Sequence, residues 1–167
     1  MASEFRTAYL ADHPEALSLL ATWFEEAWPE WYGPGGAGHA EEDLARYAGR
    51  AQLPIGVVGF SNGALVGIAV LKDESVSSRR DLRPWAAAGL IHPVYRRRGF
   101  GAKLIAALED VARDAGFGRI YCGTATAATL LERCGWTFLE HSSSHGDEVD
   151  IYEKMLISSS EGQRIHH

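Results

Sequence analysis

Apolar residues along the chain fall into short runs that alternate with amphipathic stretches, and this pattern predicts a mixed α/β domain. Two apolar runs, "PIGVVGF" and "LVGIAVL", flank the turn sequence "SNG", which is typical of a β-hairpin. "WAAAGLIH" and "RIYCGT" are further strand candidates. Between these two, apolar residues recur at helical spacing on one face, at Leu104, Leu108, Val111 and Ala115.

The remaining segments complete the predicted order β-α-α-β-β-β-α-β-α-β-β. "EFRTAYL" is a weak first strand, and Asp12 with Pro14 and Glu15 has the pattern of a helix start. That helix continues through "EALSLLATWFEEAW" until Pro29 and "YGPGGAG" break it, and "HAEEDLARYAGRAQ" is a second helix. "KDESVSSRRDLRP" is a polar loop, "ATAATLLERCG" a short helix, and "WTFLE" and "EVDIYEKMLI" two strands around the loop "HSSSHGD". We expect one domain over 1–157 and a disordered tail over 158–167. The last two histidines of this tail resemble the remnant of an expression tag.

Composition excludes several classes of protein. The chain has 167 residues and a formal net charge of −6, which argues against non-specific nucleic-acid binding. No apolar run is long enough to span a bilayer, and the N-terminus lacks the pattern of a signal peptide. Two cysteines do not form a disulfide framework, so we expect a cytoplasmic protein. We also expect a monomer or homodimer with no metal and no membrane association.

Charge is distributed unevenly. From Thr7 to Ala45 the chain has no lysine or arginine and is rich in acidic residues, whereas the sequence "VYRRRGFGAKL" places three consecutive arginines before a helix. Gly99 and Gly101 let the backbone approach a ligand closely, and the first turn of a helix presents unpaired N–H groups. Such a loop binds phosphate, although three arginines in a loop are also typical of a solvated surface. The third glycine of a dinucleotide fingerprint and the G-K-[ST] of a P-loop are both absent from this sequence.

The segment from Arg96 to Gly101 resembles the R/Q-x-x-G-x-G/A motif of the GNAT N-acetyltransferases. The context is similar too, because a strand and "HPVYR" precede the motif and an amphipathic helix follows it. "LLERCGWTFLE" resembles the family's x-Y-x-x-x-G-F segment, and "EVDIYEKML" its final strand. The resemblance extends over Leu53–Leu156 and implies a GNAT-like acyl-CoA N-acyltransferase fold.

The resemblance also implies a binding site for acetyl-CoA as co-substrate, in a gap between "WAAAGLIH" and "RIYCGT". The pantetheine arm would pair with the backbone of Gly89, Leu90 and Ile91, where one N–H would polarise the thioester carbonyl. The pyrophosphate would lie on the loop and the first turn of the helix. The residues implied there are Arg96, Arg97, Arg98, Gly99, Phe100, Gly101, Ala102 and Lys103.

The expected reaction is direct attack of a primary amine on the thioester, but the catalytic residues are less well defined. The family often has a tyrosine as acid four residues before the "G-F" glycine, and this chain has Leu131 there. Either the thiolate leaves without that acid or the chain no longer performs the transfer. The side chains that could replace the acid are Tyr121, Cys122 and Cys134. The candidate bases are Glu25, Glu26 and His92, and the loop acids Asp73, Glu74 and Asp81 are further candidates for a base or a substrate anchor.

The segment "WFEEAWPEWYGPGG" combines aromatic and acidic residues, and the family uses its first helices as the wall of the acceptor site. Carboxylates attract an ammonium group and indole faces bind cations. The candidate substrate-binding residues are therefore Trp23, Glu25, Glu26, Trp28, Trp31 and Tyr32. In the alternative interpretation the aromatics are core and the acids, with Glu30, are the solvated face of a helix.

These inferences favour an N-acetyltransferase that acts on a small cationic molecule or a peptide amine. Two alternatives remain open at this point. One is an acyltransferase that uses another acyl thioester, and the other is a CoA-binding sensor or pseudoenzyme.

Overall fold

A computed structural model describes residues 4–144 and 146–156, and seven strands of this part of the chain form one mixed sheet in the order β1-β2-β3-β4-β5-β7-β6. The first four strands are antiparallel neighbours, β4 and β5 are parallel, and β5, β7 and β6 are again antiparallel. The strands are β1 (Phe5–Tyr9), β2 (Ile55–Ser61), β3 (Ala64–Lys72), β4 (Trp85–Ile91), β5 (Arg119–Thr124), β6 (Thr137–Ser144) and β7 (Asp147–Met155).

Helices cover both faces of the sheet. The helices are α1 (Leu17–Ala27), α2 (Pro29–Tyr32), α3 (Ala40–Arg46), α4 (Phe100–Asp114) and α5 (Ala128–Arg133). α1 and α3 pack on one face through a core that includes Phe24 and Val58, while α4 and α5 pack on the other face through a core that includes Leu104 and Val57. Because β2 is buried on both faces, its sequence is continuously apolar rather than alternating.

The polar segment between β3 and β4 is also part of the packing. Val76 is buried against Trp85, Tyr121 and Ile151, on the face of the sheet next to β5 and β7. A β-carbon on Gly123 would lie 2.5 Å from Val76 Cγ2, so the glycine makes room for this contact. The segment predicted as a polar loop thus packs on the part of the sheet that β4, β5 and β7 form.

The predicted fold class and order of strands are confirmed, but three local predictions are wrong. Asp12 does not cap α1, since it pairs with Arg50 and 3-10 turns precede the helix, which starts at Leu17. Pro29 does not only end a helix, because it is the first residue of the short helix α2. Most of the predicted loop "HSSSHGD" is strand, since β6 continues to Ser144 and β7 starts at Asp147.

Two further observations concern the limits of the elements. Ala115 is exposed beyond the end of α4, so the apolar face of this helix is formed without it. The predicted tail 158–167 lies outside the described residues. None of the described helices is long and apolar enough to cross a bilayer.

Candidate acyl-transfer site

A β-bulge interrupts β4 near its carboxyl end. Val70 pairs with Ala87 and Ile68 with Leu90, so two residues of β4, Ala88 and Gly89, lie opposite the single residue between Ile68 and Val70. Ala88 has a φ of 51°, which is left-handed backbone. A bulge leaves backbone groups out of the ladder, and Gly89 is exposed with nothing within 4 Å of an added β-carbon. Backbone donors and open space therefore coincide here.

A gap opens between β4 and β5 on the carboxyl side of their single recorded pair, Trp85 with Tyr121. β5 remains paired with β7 from Arg119 to Thr124, and β4 remains paired with β3 from Trp85 to Ile91, so the gap leaves one edge of each strand without a partner strand. The edge of β4 that faces β5 is therefore available to an extended ligand beyond Trp85, and such a ligand could add hydrogen bonds to it as a further strand does.

The arginine–glycine loop has a backbone suited to an anion. Arg97 and Gly99 have φ values of 67° and 80°, and Gly99 directly precedes α4. The N–H of Lys103 donates to the carbonyl of Gly99 at 3.4 Å. The N–H groups of the residues before Lys103 have no carbonyl partner within the helix, because they lie in its first turn. Alternating left- and right-handed residues form anion-binding nests, and the dipole of a 15-residue helix adds positive potential.

The side chains of the loop have different roles. Arg96 Nε donates to the carbonyl of Ile91 at 3.1 Å and fastens the loop to the end of β4. Arg97 and Arg98 are exposed, the latter with its guanidinium 5.8 Å from the centroid of the Tyr95 ring. These two arginines are available to an anion, whereas Arg96 first holds the loop in place.

The first turn of α4 is fixed from both sides. Phe100 is buried and its ring stacks on Phe5 with 4.9 Å between centroids, so only its backbone can contact a ligand in the loop. Lys103 is exposed with its Nζ 5.3 Å from the same Phe5 ring. A β-carbon on Gly101 would lie 3.3 Å from Leu130 Cδ2 of α5, which leaves little space at this position.

Helix α1 reaches the carboxyl end of β4 through one aromatic contact. The ring centroids of Trp23 and His92 are 4.7 Å apart, and Trp23 is buried. His92 Nδ1 accepts the N–H of Val94 at 3.2 Å, which in the neutral ring places the hydrogen on Nε2. The assignment of His92 as a candidate base stays a prediction.

The chain matches the model of the Acetyltransferase (GNAT) family over residues 20–136, which is more than half of its length. It belongs to this family. Among curated proteins, no sequence matches the chain.

Solved acetyltransferase structures resemble this GNAT protein over nearly their whole length. An acetyltransferase of Salmonella typhimurium, yncA, solved with acetyl-CoA, is 18% identical with a TM-score of 0.68, covering 93% of this chain and 95% of that one. The aminoglycoside 6′-N-acetyltransferase from Enterococcus faecium has 14% identity, a TM-score of 0.72 and coverage of 91% and 97%. An N-acetyltransferase from Staphylococcus aureus Mu50 has 13% identity, a TM-score of 0.69 and coverage of 93% and 99%. At these identities the likeness shows the fold alone.

In this GNAT acetyltransferase the aromatic and acidic segment divides between core and surface. Trp28 is half-buried, with its ring 5.0 Å from that of Phe24, while Trp31 is 54% exposed. Tyr32 donates to Asp43 Oδ2 at 2.6 Å, and burial together with this hydrogen bond raises the pKa of Tyr32 above its ordinary value. Some of these aromatics are thus core, as the alternative interpretation predicts, and others remain accessible; the binding of a substrate by this segment stays a prediction.

The acids of this segment are all on the solvent side. Glu25 and Glu26 are exposed on α1, and Glu30 is exposed on α2. Glu25 lines a cavity of about 510 Å³ together with Glu41 and Glu42 of α3. Glu26 lies three residues after Trp23 on α1, about one helical turn from the residue that contacts His92. Of these two adjacent acids, Glu25 alone lines this cavity.

No candidate for the missing acid is well placed. Leu131 is 1% exposed and belongs to the core beneath α4 and α5. Burial raises the pKa of Cys122 to about 12, so this thiol is poorly suited to donate a proton near neutral pH. Burial also raises the pKa of Cys134, and Tyr121 is buried beside Trp85 with 5.6 Å between ring centroids.

Sequence reasoning missed two positions that shape the site. Ala88 forms the bulge, and an alanine carries no signal for left-handed backbone. Thr124 ends β5, where its Oγ1 accepts the N–H groups of Thr126 at 3.1 Å and Ala127 at 2.7 Å. A threonine before a predicted helix is a capping signal that could have identified the second position.

Proposed function

We propose that this protein transfers the acetyl group of acetyl-CoA to a primary amine of a small cationic molecule or a peptide. The observation that carries the proposal is the bulge at Ala88 and Gly89, at the edge of a gap that adjoins both the anion-binding loop and helix α1. The residues fit acetyl-CoA, since the loop offers N–H groups to a pyrophosphate and the open edge of β4 offers backbone partners to an extended arm.

The donor would be held mainly by backbone groups. The N–H groups from Arg97 to Ala102 would bind the pyrophosphate, with Lys103 and the exposed arginines adding charge. Gly89, Leu90 and Ile91 would pair with the pantetheine amides. An N–H released by the bulge would stabilise the negative charge that develops on the thioester oxygen, as a preorganised donor.

The acceptor amine must lose a proton, because an alkylammonium has a pKa of about 10 and cannot attack. We assign Glu26 as the leading candidate base, since it lies about one helical turn from Trp23, whose ring contacts His92, with a bridging water as the route for the proton. Glu25 would anchor a second cationic group in the acidic cavity. The aminoglycoside acetyltransferase among the similar folds, by its name an N-acetylating enzyme, supports a cationic amine.

The thiolate would leave without a protein acid. Its ordinary pKa of about 8.5 makes it a tolerable leaving group near neutral pH, so protonation can follow from water. The buried Leu131 is compatible with this route, and it is also the observation that favours the alternative of a CoA-binding sensor. A donor with a longer acyl group is the remaining alternative.

An acyl-transfer screen tests the proposal. Purified protein is incubated with acetyl-CoA and with aminoglycosides, polyamines or peptides, and products are identified by mass spectrometry. We expect a mass increase of one acetyl group on a cationic amine. CoA binding without product from any amine would support the sensor, and product only with longer acyl-CoA donors would support the other acyltransferase.

A further inference from the structure

A second cavity, of about 570 Å³, lies at the end of β4 opposite to the arginine–glycine loop. Lys72 lines it and pairs with Trp85, the first residue of β4, whereas the loop follows Ile91, the last. A seven-residue strand spans roughly 20 Å, and the Trp85 side chain at its start is fully buried. The cavity is therefore separate from the acyl-transfer site, and a ligand bound in it would be independent of the proposed function.

Cationic side chains outnumber carboxylates in the lining of this cavity. Four cationic side chains line it, and they are Arg46, Lys72, Arg80 and Arg83. Only two carboxylates, Asp73 and Glu74, share the lining. This surplus is unusual in a chain whose net charge is −6 and indicates an anionic ligand.

Two of the cations have partners within the protein. Arg83 donates to Asp73 Oδ1 through both Nε, at 2.8 Å, and Nη2, at 2.5 Å. Arg46 pairs with Asp43 of its own helix. Within residues 4–144 and 146–156, no carboxylate lies within 4 Å of the charged nitrogens of Lys72 or Arg80. Lys72 and Arg80 are therefore in no ion pair with the described residues, and among those residues Glu74 is the one unpaired carboxylate of the lining, which leaves a net positive charge.

Lys72 is held in a partly desolvated position. Its Nζ lies 5.6 Å from the centroid of the Tyr47 ring, and Tyr47 is buried. Desolvation lowers the pKa of Lys72, and the negative charge of Asp43 acts in the opposite direction. Asp43 already accepts hydrogen bonds from Arg46 and Tyr32. An anion next to Nζ would offset that desolvation, since it favours the charged form of the amine.

We propose that this cavity binds a small phosphorylated molecule, with its dianionic phosphate held between Lys72 and Arg80. A guanidinium matches phosphate oxygens in a bidentate manner and an ammonium adds a point charge, so the pair suits a dianion. The volume exceeds that of a bare phosphate and falls in the range of ligand pockets, about 300–1,000 Å³. Tyr47 and Pro54 would contact the remainder of the ligand.

The test is a calorimetric titration of the full chain with inorganic phosphate in the presence of excess CoA, the ligand proposed for the loop at α4. We expect one phosphate site, and we expect Lys72→Met and Arg80→Gln each to raise its Kd about tenfold or more. Arg133→Gln removes an exposed arginine of α5 and should leave the Kd unchanged. Thermal unfolding of each variant verifies that it is folded.

Three results would overturn the assignment. One is the absence of a phosphate site with a Kd below about 10 mM. Another is an equal loss in the Arg133→Gln control, which would mean that general charge rather than the cavity attracts phosphate. The third is tighter binding of succinate than of phosphate, sensitive to the same two substitutions, which would make a dicarboxylate the ligand.

Discussion

Replacing Leu131 by tyrosine introduces a hydroxyl where many GNAT enzymes have their acid, and we expect it to destabilise the protein without accelerating the reaction. The Leu131 side chain is 1% exposed and shares its core with Leu104 and Leu108 of α4. A tyrosine side chain in the same direction would enter this core rather than the gap between β4 and β5.

The expected cost follows from that packing. Adding bulk to a filled core costs about 1–3 kcal/mol, and a buried hydroxyl without a partner costs about 1–3 kcal/mol more. The free energy of unfolding should therefore fall by roughly 2–6 kcal/mol, which urea denaturation measures. The kcat of the folded fraction should be similar in Leu131→Tyr and Leu131→Phe, because the phenylalanine has the same bulk and no hydroxyl.

Leu131→Met is a control of nearly equal volume and should leave both stability and kcat close to those of the parent. General acids contribute about 10²–10⁴ in rate. A kcat of Leu131→Tyr more than about tenfold above that of Leu131→Phe, lost as the phenol ionises at high pH, would refute the reasoning. The side chain at 131 would then reach the leaving group.

Three further predictions concern donor binding, acceptor binding and the core. Gly101→Val should weaken CoA binding by about tenfold in calorimetry, because its side chain would press on α5 and on the space above the first turn of α4. Glu25→Gln and Glu26→Gln should each raise the KM for a cationic amine about two- to fivefold in steady-state assays, an effect that added salt reduces. If Glu26 is the base, its variant should also lose kcat, most steeply at low pH. Glu109→Gln should lower the free energy of unfolding by about 2 kcal/mol in urea, since it breaks the 2.8 Å ion pair of this buried carboxylate with Lys154.

Each of these predictions has a control and an outcome that contradicts it. Ala106→Val places a valine on the exposed side of α4, and equal CoA affinity for this variant and Gly101→Val would mean that the loop is not the CoA site. Asp114→Asn removes an exposed acid at the end of α4, and KM values for Glu25→Gln and Glu26→Gln no higher than its own would make those acids only a solvated helix face. Unchanged urea midpoints for Glu109→Gln would mean that the ion pair adds nothing to stability.

The order of the helices and strands could be predicted because it follows from the positions of the apolar residues along the chain. β2 and β3 are continuous apolar runs that become buried strands, and the spacing of Leu104 and Leu108 predicts the buried face of α4. The loop before α4 was predicted from its glycines and arginines, and Gly99 has the left-handed backbone that a glycine permits. These features are local, so the sequence contains the signals that specify them.

The features that could not be predicted depend on contacts between distant residues. The serines after Phe138 look like a loop, yet they form strand because the segment after β3 packs against them: Ser77 N–H donates to Ser144 Oγ at 3.3 Å, and Ser144 Oγ donates to the carbonyl of Ser75 at 3.4 Å. The bulge at Ala88 is set by the mismatch of register between β3 and β4, to which its own side chain adds no signal. The backbone of the arginine–glycine loop was thus predictable from sequence, whereas the bulge in β4 was not.

The Trp23–His92 contact brings helix α1, with its acidic residues, to the same end of β4 as the basic loop. The basic loop follows β4 after His92, and α1, with its acids, lies against the same residue through Trp23. An anionic donor and a cationic acceptor would then be attracted from different directions to the same end of one strand, where the bulge offers its N–H groups. Trp23→Leu, which keeps the position apolar but removes the ring, should therefore reduce kcat/KM for the amine more than it reduces CoA affinity. Equal losses in both would mean that the contact only supports the core.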